Sequence, residues 1–251
     1  MAKQLSIIPM KGTLGNLTYY KDSNGYLVKR KGGVPKETIL MSPNFVRVRE
    51  NMSEFGMAAQ AGALLRNGIR PLLINAKDRL VASRLVKQVL HIAKTTDTTD
   101  VRGARTIASG NPVLLNGFNF NNNAKLNEVL YAPYSVTVDR VAGTITVSVP
   151  AFNALNQIVA PVGATDYQLL IGGSEVDFVD DTSNTDISST AILPLNNAAT
   201  TPVNTVLSLT AGTTLPLFTF LGVQFYQTVN GVAYALETKE SNTLAVVNVN
   251  P

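Results

Sequence analysis

The spacing of apolar residues changes once along this chain, near Pro133, from helical steps to strict alternation. That change confines the fold to helices first and sheet second, because the two periods cannot share one element. Phe45, Val48, Met52, Phe55, Ala59, Gly62, Leu65 and Ile69 follow one another at steps of three and four. They predict one helix over 43–70, with Ser42 as N-cap and Pro43 at the first helical position. Ala58, Ala59, Ala61, Gly62 and Ala63 make its middle narrow, which lets another backbone approach closely. An internal helix pair is the ordinary use of such a stripe. The sharper reading is a seam between subunits formed by Phe45, Val48, Met52, Phe55, Ala59 and Leu65. A second helix is expected over 78–94, capped by Asp78. Its apolar arc runs from Val81 to Ala93, and Arg84, Lys87, His91 and Lys94 step along the opposite side.

Upstream, Leu17 to Tyr20 and Tyr26 to Lys29 are short β-prone runs, and Asn24-Gly25 between them is suited to a hairpin turn. Beyond Pro133, Val136 and Val138 alternate with polar residues, as do Ile145, Val147 and Val149 across a turn at 139–143. Further strands are expected at 167–171, 191–193, 203–209, 217–227, 232–236 and 244–249, with a tight turn at Asn230-Gly231. The fold class read from this pattern is α+β. It has an N-terminal β-hairpin plus two-helix region and a C-terminal immunoglobulin-like or fibronectin-like antiparallel β-sandwich. The expected divisions are a basic hairpin and helical region at 1–110, an Asn-rich connection at 111–132 and the β-sandwich at 133–251. In the connection, Phe118 and Phe120 would tuck the loop 116–123 against one of the halves.

Composition narrows the chemistry. The 251 residues include no Cys, no Trp and one His. Disulfides, thiolate nucleophiles and cysteine-ligated metal sites are therefore excluded, and no two-histidine metal site can form within one chain. His91 lies in the basic stripe with no carboxylate placed to orient it, so it reads as an exposed side chain rather than a general base. Glu175, Asp177, Asp180, Asp181 and Asp186 form an acidic cluster without the residue order of a calcium-binding loop, and they read as a solvated loop. Gly172-Gly173 lacks the Lys-Ser/Thr that would follow in a phosphate-cradling loop. No cofactor is implied.

Charge is divided unevenly. Residues 1–105 hold 18 basic and 7 acidic side chains, a formal +11, and residues 106–251 hold 3 basic and 10 acidic ones, a formal −7. Opposite potentials of this kind can steer head-to-tail association of copies, or the basic region can meet phosphates. Lys29, Arg30 and Lys31 beside Tyr19, Tyr20 and Tyr26, together with Arg84, Lys87 and Lys94, are the candidate assembly or phosphate contacts.

The stretch Lys11-Gly12-Thr-Leu-Gly15, with Tyr19-Tyr20, Val28-Lys29-Arg30, Arg49 and Phe55-Gly56, resembles the opening of a group of uncharacterised Bacteroidota proteins. Leu221 to Tyr226 resembles their β-rich second half. The resemblance implies organisation only: a helical N-terminal half, a β-sandwich and no assigned activity. The expectation is a non-enzymatic structural protein that self-assembles as a homo-oligomer into a tube, shell or virion component. A nucleic-acid-binding protein is the alternative. Residues 1–10 lack the apolar run of a secretory signal, and no apolar run is long enough to span a membrane. Synthesis in the cytoplasm is expected, with no membrane partner and with a virion or released assembly as a possible destination.

Overall fold

The computed structural model describes residues 2–5, 8–236 and 241–251. The chain gathers into two compact units, Met1–Arg49 and Glu50–Pro251. In the first, strands β1 (Ala2–Lys3), β2 (Gly12–Leu14), β3 (Leu17–Asp22) and β4 (Gly25–Arg30) form an antiparallel sheet in the order β1-β4-β3-β2. The expected hairpin is its centre. Its turn falls on Ser23 and Asn24, between the paired residues Asp22 and Gly25, and Gly25 carries the positive φ of 105°. A short helix, α1 (Lys36–Met41), follows the sheet, and the Arg49 Nη1 donates to the Ile39 and Ser42 carbonyls at 2.8 and 2.9 Å. Among the described residues of this unit, Leu27 is the one buried hydrophobic side chain.

Ser42 caps the next segment as expected: its Oγ accepts from the Asn44 N–H, and a single 3₁₀ turn at Pro43–Phe45 leads into helix α2 (Val46–Gly68). A short helix α3 (Arg70–Leu73) and a connection lead to α4 (Val81–Thr96). Asp78 is not the cap residue of α4. That position is Leu80, and Asp78 acts two residues earlier by accepting from the Leu80 N–H at 2.7 Å. The face of α2 that is buried carries Ala58, Ala61, Gly62 and Leu65, where a side-chain atom on Gly62 would come within 3.4 Å of Val86 on α4.

The remaining elements are helices α5 (Leu126–Val129) and α6 (Ala154–Gln157) and strands β5 (Ser135–Asp139), β6 (Thr144–Val149), β7 (Asp166–Asp177), β8 (Thr182–Ser189), β9 (Leu193–Pro194), β10 (Val203–Ser208), β11 (Leu217–Val229), β12 (Val232–Ala235) and β13 (Thr243–Asn250). They build a three-stranded sheet β10-β6-β5 and a larger antiparallel sheet centred on β7 and β11. In the larger sheet β11 pairs with β7 along one edge and with β13 and β12 in succession along the other, while β8 and β9 pair with the far side of β7. The Asn230-Gly231 turn between β11 and β12 has φ of 52° and 81° at its two residues, the conformation that suits the twist of a hairpin.

Three layers result in Glu50–Pro251. Leu170, Val176, Phe218, Phe220, Leu244 and Val246 pack with α2 and α4 on one face of the larger sheet. Tyr167, Leu169, Ile171, Leu217, Leu221, Val223 and Phe225 pack with Ile145, Val147, Val149 and Leu207 of the smaller sheet on the other. The helices and the strands, set apart in sequence by their periods, thus share a core. The stretch 116–123 is not only a loop. It runs along the outer edge of β13, where the Gly117 and Phe120 amides donate to Val246 and Leu244, and the Val246 amide donates back to Phe118. Phe120 is buried against Phe220, with ring centroids 6.0 Å apart, as a loop tucked against one half would require.

Two strands were not legible as such. The expected run 167–171 continues through Gly172-Gly173 to Asp177, and the Ser/Thr/Asn/Asp stretch after it is the edge strand β8, not a solvated loop. Within β11, a side-chain carbon on Gly222 would lie 2.3 Å from the Thr243 carbonyl oxygen, an atom of the backbone that no rotamer change can move. We expect Gly222→Ala to destabilise the protein by about 1–3 kcal/mol, the usual range for overpacking. A thermal melt of the variant should shift down by about 2–4 °C per kcal/mol.

Candidate functional site

Lys29, Arg30 and Lys31 lie at the end of β4 and just beyond it, all exposed. The Lys29 ammonium sits 5.4 Å from the Tyr20 ring centroid and that of Lys21 lies 5.3 Å from Tyr26, so the interleaved tyrosines hold cations over their faces. The Lys31 amide donates to the Asn16 carbonyl, which fixes the backbone and leaves the side chain outward.

The basic stripe of α4 separates into three different situations. Arg84 is held inside the fold. Its Nη2 meets Asp78 and donates to the Phe120 carbonyl, its Nη1 donates to Asn119, and its guanidinium lies 5.2 Å from the Phe118 ring centroid. Arg84 is thereby the bracket that fastens the Asn-rich segment to α4. Lys94 places its Nζ 3.5 Å from Oε2 of Glu54, a carboxylate with no exposed side-chain surface whose other oxygen accepts from the Gly103 amide. Lys87 and His91 are exposed. The helix-seam residues also divide. Val48, Met52 and Phe55 are exposed and Phe45 is half-buried, whereas Ala59 packs on the helix–sheet core and Leu65 lies in it. The narrow stretch expected to admit another backbone is where α4 comes close, at Ala58, Ala61 and Gly62, as in an internal helix pair, while the large residues upstream of it stay exposed.

A basic cleft that the sequence reading did not single out lies where α2 ends and α4 begins. It has a volume of about 430 Å³, and its charged lining is Arg66, Arg70, Lys77 and Arg79 with Asp78. Asp78 is already engaged. One of its oxygens accepts from Leu80, and the other meets Arg84 and the Asn122 amide. Arg66 presents an Nη1 that is closed off from solvent and has no hydrogen-bond partner among the described residues. The Arg and Lys residues at 66–79 share no common period, so they show no stripe in the sequence; only the turn through α3 gathers them. A second cleft of about 370 Å³, lined by Glu54, Ala58, Val89, Arg105, Phe178 and Asp181 among others, lies at the opposite end of the α2–α4 pair's shared face.

The acidic residues are structural and dispersed. Glu175 is buried in β7 and accepts from the Thr213 hydroxyl and the Thr210 amide; burial would raise its pKa, and these hydrogen bonds together with Asn184 hold it below the usual carboxylate value. Asp177 accepts from the Val179 and Asp180 amides in the β7–β8 turn, and Asp186 accepts from the Ser208 amide of β10. Among the described residues, no group of three or more His, Cys, Asp or Glu stands where it could hold a metal ion. No helix among them is long and apolar enough to cross a membrane. Comparison with family models, curated proteins and solved structures returns no match.

Two residues that pattern reading passed over organise loops. Arg140 spends its guanidinium on the Asn250 side chain and the carbonyls of Thr213, Leu215 and Asn250, tying the β5–β6 turn to β13. Asp97 accepts from the Thr99 amide and hydroxyl and from the Asp100 and Thr106 amides. Burial alone would raise its pKa, but these donors outweigh that effect and lower it from 3.8 to about 2. Because the folded value lies below the unfolded one, its contribution is full above the unfolded pKa and is lost as pH falls from about 4 towards about 2. Asp97→Asn should lower the melting temperature at neutral pH and flatten the part of the stability-versus-pH curve that lies in that interval. Arg84→Ala should cost about 1–3 kcal/mol, since it removes the cation from Asp78 and the side-chain donors from the Asn119 and Phe120 carbonyls, while Lys87→Ala should stay within about 0.5 kcal/mol. Urea titration of the two variants checks the contrast.

Proposed function

We propose that the chain is a non-enzymatic structural protein that assembles with copies of itself into a multi-subunit array such as a tube, shell or virion component. The observation that carries this reading is the surface of the Met1–Arg49 unit. A unit of this size is marginal by itself, and here, among the described residues, Leu27 is the one buried hydrophobic side chain while Leu5, Ile8, Leu14 and Met41 are 93, 76, 69 and 82% exposed. On α2, Met52 and Phe55 add two more large apolar side chains, each 56% exposed. Fully covering such a side chain is worth about 1.5–3 kcal/mol, and a second copy is the partner that the +11 and −7 regions favour electrostatically.

The finer immunoglobulin-like or fibronectin-like relation of 133–251 belongs to the same proposal. It is supported by two antiparallel sheets facing each other across a common core, with helices added on the outer face of the larger one. The nucleic-acid alternative would rest on Lys29, Arg30, Lys31 and Lys87, since Arg84 and Lys94 have internal partners.

Size-exclusion chromatography with light scattering on the full chain tests the assembly reading. The expected result is a mass several times that of one chain, lowered by Leu14→Asp combined with Met41→Asp. A monomer at both low and high salt, at about 100 μM chain, overturns it, since a specific interface should be populated well below that concentration.

A further inference from the structure

We infer that the cleft between the end of α2, α3 and the start of α4 is a binding site for an oligophosphate group, a run of two or three linked phosphates. The argument begins with the balance of charge inside it. Four cations, Arg66, Arg70, Lys77 and Arg79, line a concavity of about 430 Å³, and its one acid is saturated by Leu80, Arg84 and Asn122. Elsewhere in the same unit, basic side chains find carboxylates: Arg84 on Asp78, Arg102 on Glu50 at 3.2 Å, and Lys125 on Glu128 at 2.8 Å. The four in the cleft have no carboxylate partner among the described residues.

Arg66 sharpens the point. A solvated arginine on a helix surface satisfies its donors with water, which is the ordinary explanation for a basic patch. The Arg66 Nη1 cannot do so, because it is shut away from solvent and still lacks an acceptor. That nitrogen is folded back to the α2–α4 contact, close to where Gly62 meets Val86, so it is the rest of the guanidinium, on the lining of the cleft, that an anion would meet.

The ligand class follows from the rest of the lining. Arginine forks match the paired oxygens of phosphate, and several cations in one concavity call for more than one negative charge at close spacing. Leu73, Val81 and Ala82 supply the apolar wall, and no aromatic ring is present to stack a base. The volume falls in the range of small-molecule sites. The positive end of α4, whose cap residue Leu80 offers no side-chain acceptor, adds to the same field. The site needs no second copy of the chain and stands apart from the assembly reading.

Isothermal titration of the full chain with sodium tripolyphosphate, at about 50 mM salt, reads the site directly. The expected result is one site per chain, with affinity reduced about tenfold by Arg79→Ala and about tenfold by Arg66→Gln, and unchanged by Lys87→Ala. Arg79 is exposed, so its variant keeps the fold and carries the test even if Arg66→Gln does not fold. No binding overturns the inference. So does an equal loss in Lys87→Ala, which would mean attraction to overall charge. An oligothymidylate that binds through Arg66 and Arg79 more tightly than tripolyphosphate at equal phosphate concentration also overturns it, by making the occupant a phosphodiester backbone.

Discussion

The Glu50–Pro251 unit depends on one constraint: its central strands β7 and β11 are closed to water on both faces. In an ordinary half-exposed sheet, alternation of apolar and polar residues fixes the register, because a slip of one residue would turn the core outward. Here both sets are buried through the middle of the strands and each includes polar residues, Ser174 and Glu175 on β7 and Thr219 and Gln224 on β11, so polarity does not distinguish them. Size does so instead. Gly172 lies under Leu72 on the helical side, where an added carbon would stand 2.7 Å from that side chain, and Gly173 lies under Leu207 and Ile145 at 3.1 and 3.2 Å on the other. The two glycines, which carry no phosphate-loop signature, are places where both outer layers come close to the sheet.

The same economy governs charge. Part of the basic excess in the first half of the chain is used inside the fold. Arg49 closes α1, Arg84 fastens the Asn-rich segment, and Lys94 faces the buried Glu54. Among the described cations without a carboxylate partner, two groups stand out: the hairpin with Lys29, Arg30 and Lys31, and the cleft around Arg66. A net charge summed over a hundred residues therefore says little about which cations are available to a partner. Their spatial grouping, set by the turn through α3, says more.

Much of the fold could be read from the sequence because local chemistry and tertiary packing agree there. Ser42-Pro43 starts a helix, Asn230-Gly231 closes a hairpin, and Ile145, Val147 and Val149 point to one core. Legibility failed where composition reflects position in a sheet more than secondary structure itself. β8 is polar because it is an edge, so its Thr, Ser, Asn and Asp residues read as loop. The sequence pattern of β7 stops at Ile171 because glycines and acids follow, yet Glu175 is buried and satisfied by Thr210 and Thr213. The narrow stretch of α2 was legible, since Ala58, Ala61 and Gly62 are where α4 approaches, but the apolar spacing did not tell that Val48, Met52 and Phe55 on the same stripe stay exposed. The cleft was invisible because its four cations come from three short segments with no common period.

The edge pairing of 117–120 with 244–246 joins segments separated by more than half of the Glu50–Pro251 unit. Contacts so distant in sequence form only after large loops have closed, which places this domain among slow folders. During that interval the apolar side of α4 has no sheet to rest on, and Phe118 and Phe120 have no ring to meet. Any chain caught before this closure would expose those apolar surfaces together, and crowding with its own siblings at that stage would compete with correct closure.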